Sequence, residues 1–178
     1  IVAGEEKVLG VVDATGAWSY PLTSDDINRM TEGGETLRVT STSPDGSVTS
    51  SASRSIVVDS RVPTGLSIDL VAGDGVINAA EAVSPQLSGQ AEPNALIKID
   101  LGLGAVKEVQ ADANGDWAYA LTSSEVDAMG QGEQTISVTQ SDRAGNTSPA
   151  VTQTIQIDTL APTGLSITYS GRAKGEMV

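Results

Sequence analysis

The chain has 178 residues with neither Cys nor His, and 23 acidic against 10 basic residues leave a formal charge of −13. That excludes thiol and imidazole catalysis, disulfide stapling and the usual nitrogen or sulfur zinc sites, and it argues against nucleic acid or anionic membrane as partners, because phosphate binding rests on clustered cations. Hard cations suit such a surface better, the 39% hydrophobic content lets each full module bury a core, and no run of about 18 apolar residues offers insertion into a membrane.

The first signal along the chain is the run from Asp13 to Ser24, which holds Gly16, Trp18, Tyr20 and Leu22 and returns as Asp112 to Ser123 with Gly115, Trp117, Tyr119 and Leu121. The offset is 99 positions (117 − 18) and needs no gap. It holds onward: Met30, Gly33, Thr36, Val39 and Thr40 recur as Met129, Gly132, Thr135, Val138 and Thr139, and the stretch from Val58 through Asp59 and Pro63 to Ile68 recurs from Ile157 through Asp158 and Pro162 to Ile167. Self-similarity at a fixed period marks an array of modules. The predicted boundaries are 1–62 for the C-terminal part of a first module, 63–161 for a complete one, and 162–178 for the start of a third or a tail. Ile1 corresponds to Asp100, so the first copy lacks its opening third, and the chain reads as a fragment of a longer array or one whose missing edge is filled from elsewhere. Nothing at Ile1 resembles a signal peptide, so any targeting signal is expected outside this stretch. The lack of Cys fits an extracellular protein exported without disulfide machinery.

Within the modules the residues favour strands. Thr23 with Asp26 predicts a capped helix start. Ala95–Ile99, Trp117–Leu121, Thr135–Thr139 and Val151–Ile157 alternate apolar with polar, the period that sets one face on a core and the other in water. Turn signals at Glu92-Pro-Asn94, Asn114-Gly115, Arg143-Ala-Gly145-Asn146 and Thr159-Leu-Ala-Pro162 separate them, which predicts an antiparallel sandwich of about seven strands per module. One helix is expected over Ser123–Met129, with Thr122 and Glu125 as its capping box. Trp18 and Trp117 are expected to be equivalent core plugs between two sheets. The competing reading, a sugar-stacking platform, is poorly served by 3% aromatic content.

Four motifs in fixed order, namely Asp-x-x-Gly-x-Trp-x-Tyr, the loop Asp142-Arg-Ala-Gly145-Asn-Thr-Ser, the segment Asp74-Gly-Val-Ile-Asn78-Ala-Ala-Glu81 and the closing Ile157-Asp158-Thr-Leu-Ala-Pro162, make the chain resemble the bacterial immunoglobulin-like tandem repeats of large type I secreted surface adhesins. The resemblance covers all but about the last nine residues. It implies an all-β protein of tandem immunoglobulin-like antiparallel β-sandwich modules with no enzymatic role. The implied function is that of an extracellular extender, or stalk, in cell adhesion and biofilm formation at the bacterial cell surface. The implied partners are neighbouring modules of the same chain, with a host or biofilm surface engaged only through other regions. It also implies Ca2+ at or near the domain junctions, which stiffens the array.

Calcium takes six to eight oxygens, several of them carboxylates gathered from loops. Tracing the strands sorts the acidic residues to two ends. The leading end of the complete module is expected to hold Glu92, Asn94, Asp112, Asn114, Asp116, Asp142 and Asn146, with Asp59 arriving from the preceding linker. The trailing end is expected to hold Asp69, Asp74, Asn78, Glu81, Glu125, Asp127 and the outgoing Asp158. Asp59 and Asp158 are the leading metal candidates, because a solvated strand end has no packing need for Asp and the following Pro directs the chain. Asp69, Asp74, Asn78 and Glu81 come next, against the alternative of a solvated loop with a short helical turn. For Asp112, Asn114, Asp116 and Asp142 a ligand role stands beside a plain Asn-Gly hairpin, and the counterparts of the last three are Thr15, Ala17 and Ser43. Glu125 and Asp26 read as helix caps. Two other functions stay open: a module binding sugar or protein on its end loops, and a strand-exchange fibre subunit in which a module lacking its first strands accepts one from a neighbour. An enzyme is the least favoured class, since nothing in the repeat signals a pocket with a perturbed group.

Overall fold

Strand-forming alternation dominates both copies in the computed structural model, which describes residues 12–13 and 15–168. The chain divides into two units, Ile1–Val62 and Pro63–Val178. In the first, Thr23 caps helix α1 (Ser24–Arg29): its hydroxyl accepts from Asp26 N–H at 3.2 Å, while the Asp26 carboxylate accepts from Thr23 N–H at 3.0 Å. Strands β1 (Gly33–Thr42) and β2 (Thr49–Val58) follow as an antiparallel hairpin, in register from Gly33 opposite Val58 to Thr42 opposite Thr49. In the connecting loop Asp45 accepts from the hydroxyls of Ser43 and Ser47, which hold its carboxyl down at about 2.

Among the described residues the second unit contains seven strands: β3 (Val76–Asn78), β4 (Gln86–Gln90), β5 (Leu96–Asp100), β6 (Lys107–Gln110), β7 (Asp116–Ala120), β8 (Gly132–Ser141) and β9 (Val151–Asp158). Helix α2 (Ser123–Met129) carries the predicted capping box, with Thr122 Oγ1 accepting from Glu125 N–H at 3.2 Å and Glu125 accepting from Thr122 N–H at 2.9 Å. One sheet runs β3-β9-β8-β5-β6 and the other pairs β4 with β7. The inward positions of the two sheets, Ile77, Ile97, Ile99, Ile136, Val138, Ile155 and Ile157 from one and Leu87 and Trp117 from the other, form a single buried cluster. This is the β-sandwich that the alternation predicts.

Trp117 is the plug of that core, 2% exposed. Its indole N–H donates to the carbonyls of Ser67 at 3.2 Å and Gln90 at 3.3 Å. Ser67 and Asp69 donate their own N–H groups to the carbonyls of Gln90 and Ser88, both at 2.8 Å, so this segment lines the edge of β4. Gly89, opposite Trp117 in the β4–β7 register, has no room for a side chain: a Cβ there would lie 2.0 Å from the Ser67 carbonyl oxygen.

Two features depart from the sequence expectation. The segment between Asp69 and Glu81 is not only a loop with a helical turn, because Val76–Asn78 pairs in parallel with β9, Ile77 facing Ile157. Three residues are too short a run to register as alternation. Trp18 is 54% exposed, not enclosed as expected. Its counterpart is enclosed by Ser67, Gly89 and the strands of the opening third, and the first copy has no counterpart of residues 63–99 in this sequence.

Replacing Gly89 by Ala is expected to lower the stability of the second unit by about 2 kcal/mol or more, since the backbone contact to Ser67 cannot yield without losing the edge pairing. Urea titration checks this. A change below about 0.5 kcal/mol, the range of ordinary surface substitutions, would mean that the segment moves aside freely.

Candidate functional site

The predicted site residues fall at the ends of the sandwich, where turns bring carboxylates together without burying them. At the leading end Asp112 folds its own turn: Oδ1 accepts from the N–H groups of Asn114 at 2.7 Å and Asp116 at 3.0 Å, and these bonds hold its carboxyl below the usual range. Gly115 sits at φ +91° with its Cβ direction blocked by the Ala91 carbonyl, which only glycine tolerates. Asp13 does the same in the first copy, accepting from Thr15 N–H at 2.8 Å and Ala17 N–H at 2.9 Å. The turn therefore forms equally well with Thr15 and Ala17 in place of Asn114 and Asp116, so its carboxylate has a structural task that needs no ion.

Asp142 likewise accepts from Gly145 N–H at 2.8 Å, Asn146 N–H at 2.9 Å and the Asn146 side-chain amide at 2.8 Å, and the amide is the main cause of its lowered carboxyl pKa. Asp116 bonds to the side-chain amide of Gln90. Asn94, at φ +63°, donates its N–H to the Asp112 carbonyl at 3.0 Å, which ties the turn at Glu92-Pro-Asn94 to the Asp112 turn. An open groove at this end is lined by Glu92, Asn94, Leu96, Gln110, Asp142 and Arg143 among others. The turns at Glu92-Pro-Asn94 and Asp112 are thus joined, and Asp142 lines the same groove as Glu92 and Asn94.

Beneath them lies a residue that the sequence reading passed over. Gln140 is fully buried; its Oε1 accepts from Glu92 N–H at 2.8 Å and its Nε2 donates to the Thr64 carbonyl at 3.0 Å. A lone Gln in an alternating strand looks solvent-facing, and only its place at an inward position of β8 gave a signal.

At the trailing end the register places Asn78 opposite Asp158. Asn78 Oδ1 accepts from Ala80 N–H at 2.9 Å and Glu81 N–H at 3.2 Å, and Glu81 accepts in return from Asn78 N–H at 3.1 Å. Asn78, Glu81 and Asp158 are therefore brought to one end. Asp74 is not among them: it precedes β3, four residues before Asn78, and accepts from Val76 N–H at 2.9 Å. Asp69 lies along the edge of β4, where it accepts from the Ser88 hydroxyl at 2.9 Å. Glu125 is held by Lys107 Nζ at 2.7 Å and Tyr119 Oη at 2.8 Å, as well as by its capping bonds. Lys107 leads the causes that depress its carboxyl to about 2. Among the described residues no group of three or more Asp, Glu, His or Cys side chains stands together as a metal-binding cluster.

The linkers show one geometry twice. Asp59 Oδ1 accepts from Arg61 N–H at 3.3 Å, and Asp158 Oδ1 from Leu160 N–H at 3.4 Å. The residue after each Asp is clamped by the residue before the long hairpin: Thr159 N–H donates to Gln131 Oε1 at 3.0 Å and Gln131 Nε2 to Thr159 Oγ1 at 2.7 Å, while Ser60 bonds the Glu32 carboxylate through its N–H at 3.2 Å and through its hydroxyl. Sequence reasoning missed this clamp, although the polar pairs Glu32/Ser60 and Gln131/Thr159 stand at the same offset.

A family model described as bacterial Ig domain matches residues 65–156, more than half of the chain. Among solved structures the chain is similar to a Ca2+-stabilized adhesin that helps an Antarctic bacterium bind ice, at 28% identity over 86% of this chain and 38% of that one, with a TM-score of 0.49. It is also similar to a bacterial immunoglobulin-like domain of the M. primoryensis ice-binding adhesin, at 28% identity over 51% of this chain and 93% of that one, TM-score 0.38. A third is a structure of a 1.5-MDa bacterial ice-binding adhesin, at 24% identity over 85% and 49%, TM-score 0.46. The chain spans about two fifths of the first of these structures and half of the third. Each score lies below 0.5, so the family match and the strand topology carry the assignment. No curated protein sequence matches the chain significantly.

Glu125 gives the site a pH signature. Its carboxyl sits at about 2 against an ordinary 4.5, so its stabilisation is fully present above about pH 4.5 and is lost as pH falls toward about 2. Glu125→Gln is expected to lower the Tm of the second unit by about 5 °C at pH 7 and to converge with the parent near pH 2. Calorimetry across that range checks it, and a Tm difference independent of pH would count against the ion pair.

Proposed function

The chain belongs to the bacterial Ig domain family, and on that premise we propose that its 99-residue repeats are extracellular structural extenders of a bacterial surface adhesin. The observation that carries this reading is the internal repeat itself, which runs through Asp59 to Pro63 and again through Asp158 to Pro162, so that linker and module repeat as one block. A binding module varies its end loops and keeps its core. Here the linker is kept as closely as the core, down to the Asp and the clamp on the residue after it. A stalk needs that property, because the exit direction of each module sets the course of the array. The partners under this reading are neighbouring modules of the same chain, and adhesion to a host or biofilm surface belongs to other regions.

Calcium is the finer part of the proposal. Asp158, Asn78 and Glu81 gather at the trailing end on a chain of charge −13, and a divalent cation there would cancel local repulsion and add oxygen contacts to the linker start. Asp59 offers the corresponding carboxylate in the first copy. The reading involves no catalytic step; the acidic side chains serve turns, caps and charge.

Two measurements separate the parts. Replacing Gln131 and Glu32 by Ala is expected to broaden the small-angle scattering distance distribution of the chain, and an unchanged distribution would remove the clamp from the extender reading. Millimolar calcium is expected to raise the Tm of the second unit by about 5 °C over chelator, at an ion concentration about tenfold above Kd. Asp158→Ala should abolish that rise. Equal melting with and without calcium would leave the extender and discard the ion.

A further inference from the structure

The chain has five asparagines, Asn28, Asn78, Asn94, Asn114 and Asn146, followed by Arg29, Ala79, Ala95, Gly115 and Thr147. Asparagine is among the thermolabile residues, and only after Asn114 does the next backbone nitrogen belong to a residue without a Cβ, which leaves its approach to the side-chain amide unobstructed. The side chains are also held unequally. Asn78 Oδ1 accepts two N–H bonds, at 2.9 and 3.2 Å, and Asn146 Nδ2 bonds Asp142 at 2.8 Å. Asn28 lies within α1, and the N–H after Asn94 belongs to buried Ala95, which donates it to the Glu92 carbonyl at 3.0 Å. Asn114 is exposed, and its Nδ2 stands 3.4 Å from Asp112 Oδ2, beyond the usual hydrogen-bond range. Its neighbour is fixed by the fold, because a Cβ on Gly115 would lie 2.3 Å from the Ala91 carbonyl oxygen. The turn therefore keeps a glycine whatever precedes it, and the first copy has Thr15-Gly16 there.

We propose that Asn114 is a self-modification site, at which the chain deamidates through a cyclic imide closed by the Gly115 nitrogen. The Gly115 nitrogen gives up its proton to hydroxide and attacks Asn114 Cγ, forming a C–N bond. The Cγ–Nδ2 bond breaks, and the leaving nitrogen takes a proton from water to depart as ammonia, which restores the hydroxide. Water then opens the imide at one carbonyl or the other and leaves aspartate or isoaspartate, with no oxidant or reductant involved. In the folded chain Gly115 N–H is donated to the Asp112 carbonyl at 3.1 Å. Attack waits for that bond to open, so the rate counts openings of this turn. The products alter the turn in two ways. A carboxylate replaces an amide between Asp112 and Asp116, which adds a negative charge to a chain at −13 and turns the contact with Asp112 Oδ2 from attraction to repulsion. In isoaspartate the backbone runs through the side-chain methylene, and the spacing that lets Asp112 Oδ1 take the N–H groups of residues 114 and 116 is lost. This inference stands apart from the extender reading and from calcium.

The test ages the full chain in warm, mildly alkaline buffer, folded and in parallel unfolded in urea. Peptide mass mapping follows the loss of each amide, and isoaspartyl methyltransferase labelling detects the isomer. The expected result is conversion at Asn114 at least ~10-fold faster than at any other asparagine, yielding both aspartate and isoaspartate, and slower in the folded chain than in urea. The aged parent should melt about 3 °C below the fresh chain. Asn114→Thr copies the turn that Asp13 forms around Thr15, and its Tm should not change with age. An Asn114 that stays intact in the folded chain while the unfolded chain converts would overturn the proposal, because the turn would then protect the site. Aspartate formed without isoaspartate would overturn the imide route, and equally fast loss at a second asparagine would remove the role of Gly115. An aged parent that melts like the fresh chain would overturn the effect on the turn.

Discussion

The module turns on one buried indole that must both fill space and find an acceptor. Trp117 closes the gap between two sheets, and leaving its N–H unbonded in that interior would cost about 1–3 kcal/mol. Ser67 and Gln90 meet that need with backbone carbonyls, so the indole can sit there only while the incoming segment lies along β4. The arrangement in turn requires glycine at position 89, where backbone and ring leave no volume. Trp117, Gly89 and the 67–69 segment are thus one device contributed by three distant parts of the sequence. In the first copy the positions equivalent to the other two fall outside this sequence, and Trp18 is 54% exposed.

A second buried polar group does for the leading end what the indole does for the centre. Gln140 links the Thr64 carbonyl to the Glu92 N–H, so the chain arriving from the linker, the loop at Glu92 and strand β8 are held by one amide. Ser41 at the equivalent position is too short to span such a gap. The acidic loops are built locally: Asp112 and Asp142 around this point, and Asp45 in the first unit, each spend an oxygen on nearby N–H or hydroxyl donors. Lowered carboxyl pKa values follow from those bonds. Turn carboxylates therefore stay ionised, and much of the charge that would draw a cation is first of all the means of folding a loop.

That distinction marks how far the sequence could be read. Strands β7, β8 and β9 and helix α2 were legible because alternation and the capping box are local signals, and the family resemblance rested on motifs in fixed order. Strand β3 was not legible, since three residues carry no period and its parallel partner is eighty positions away (157 − 77). Gln140 was invisible because a polar residue in a strand reads as outward unless its face is known. Trp18 shows the opposite case: its own neighbours match those of Trp117, and what encloses Trp117 is a segment outside the local motif. Of the metal candidates, the sequence could place Asn78, Glu81 and Asp158 at one end. It could not show that Asp69 bonds along the edge of β4 or that Asp74 precedes β3 while Asn78 ends it.

The linker is where local folding and array function meet. Each module ends on an Asp that bends back to the N–H two residues on, and the intervening residue is gripped by the side chain that precedes the long hairpin. The grip uses an amide in one copy and a carboxylate in the other, with Thr and Ser as the held residues. Different side chains meeting the same donors argue that the held position matters more than the chemistry holding it. In the first copy the Ser60 hydroxyl is the main cause that lowers the Glu32 carboxyl pKa, so that grip strengthens with ionisation, while the Gln131 grip does not titrate. A cation at the Asp would act on a linker start whose geometry is already set by protein hydrogen bonds. Its effect would then appear in how firmly the start is held rather than in whether it forms.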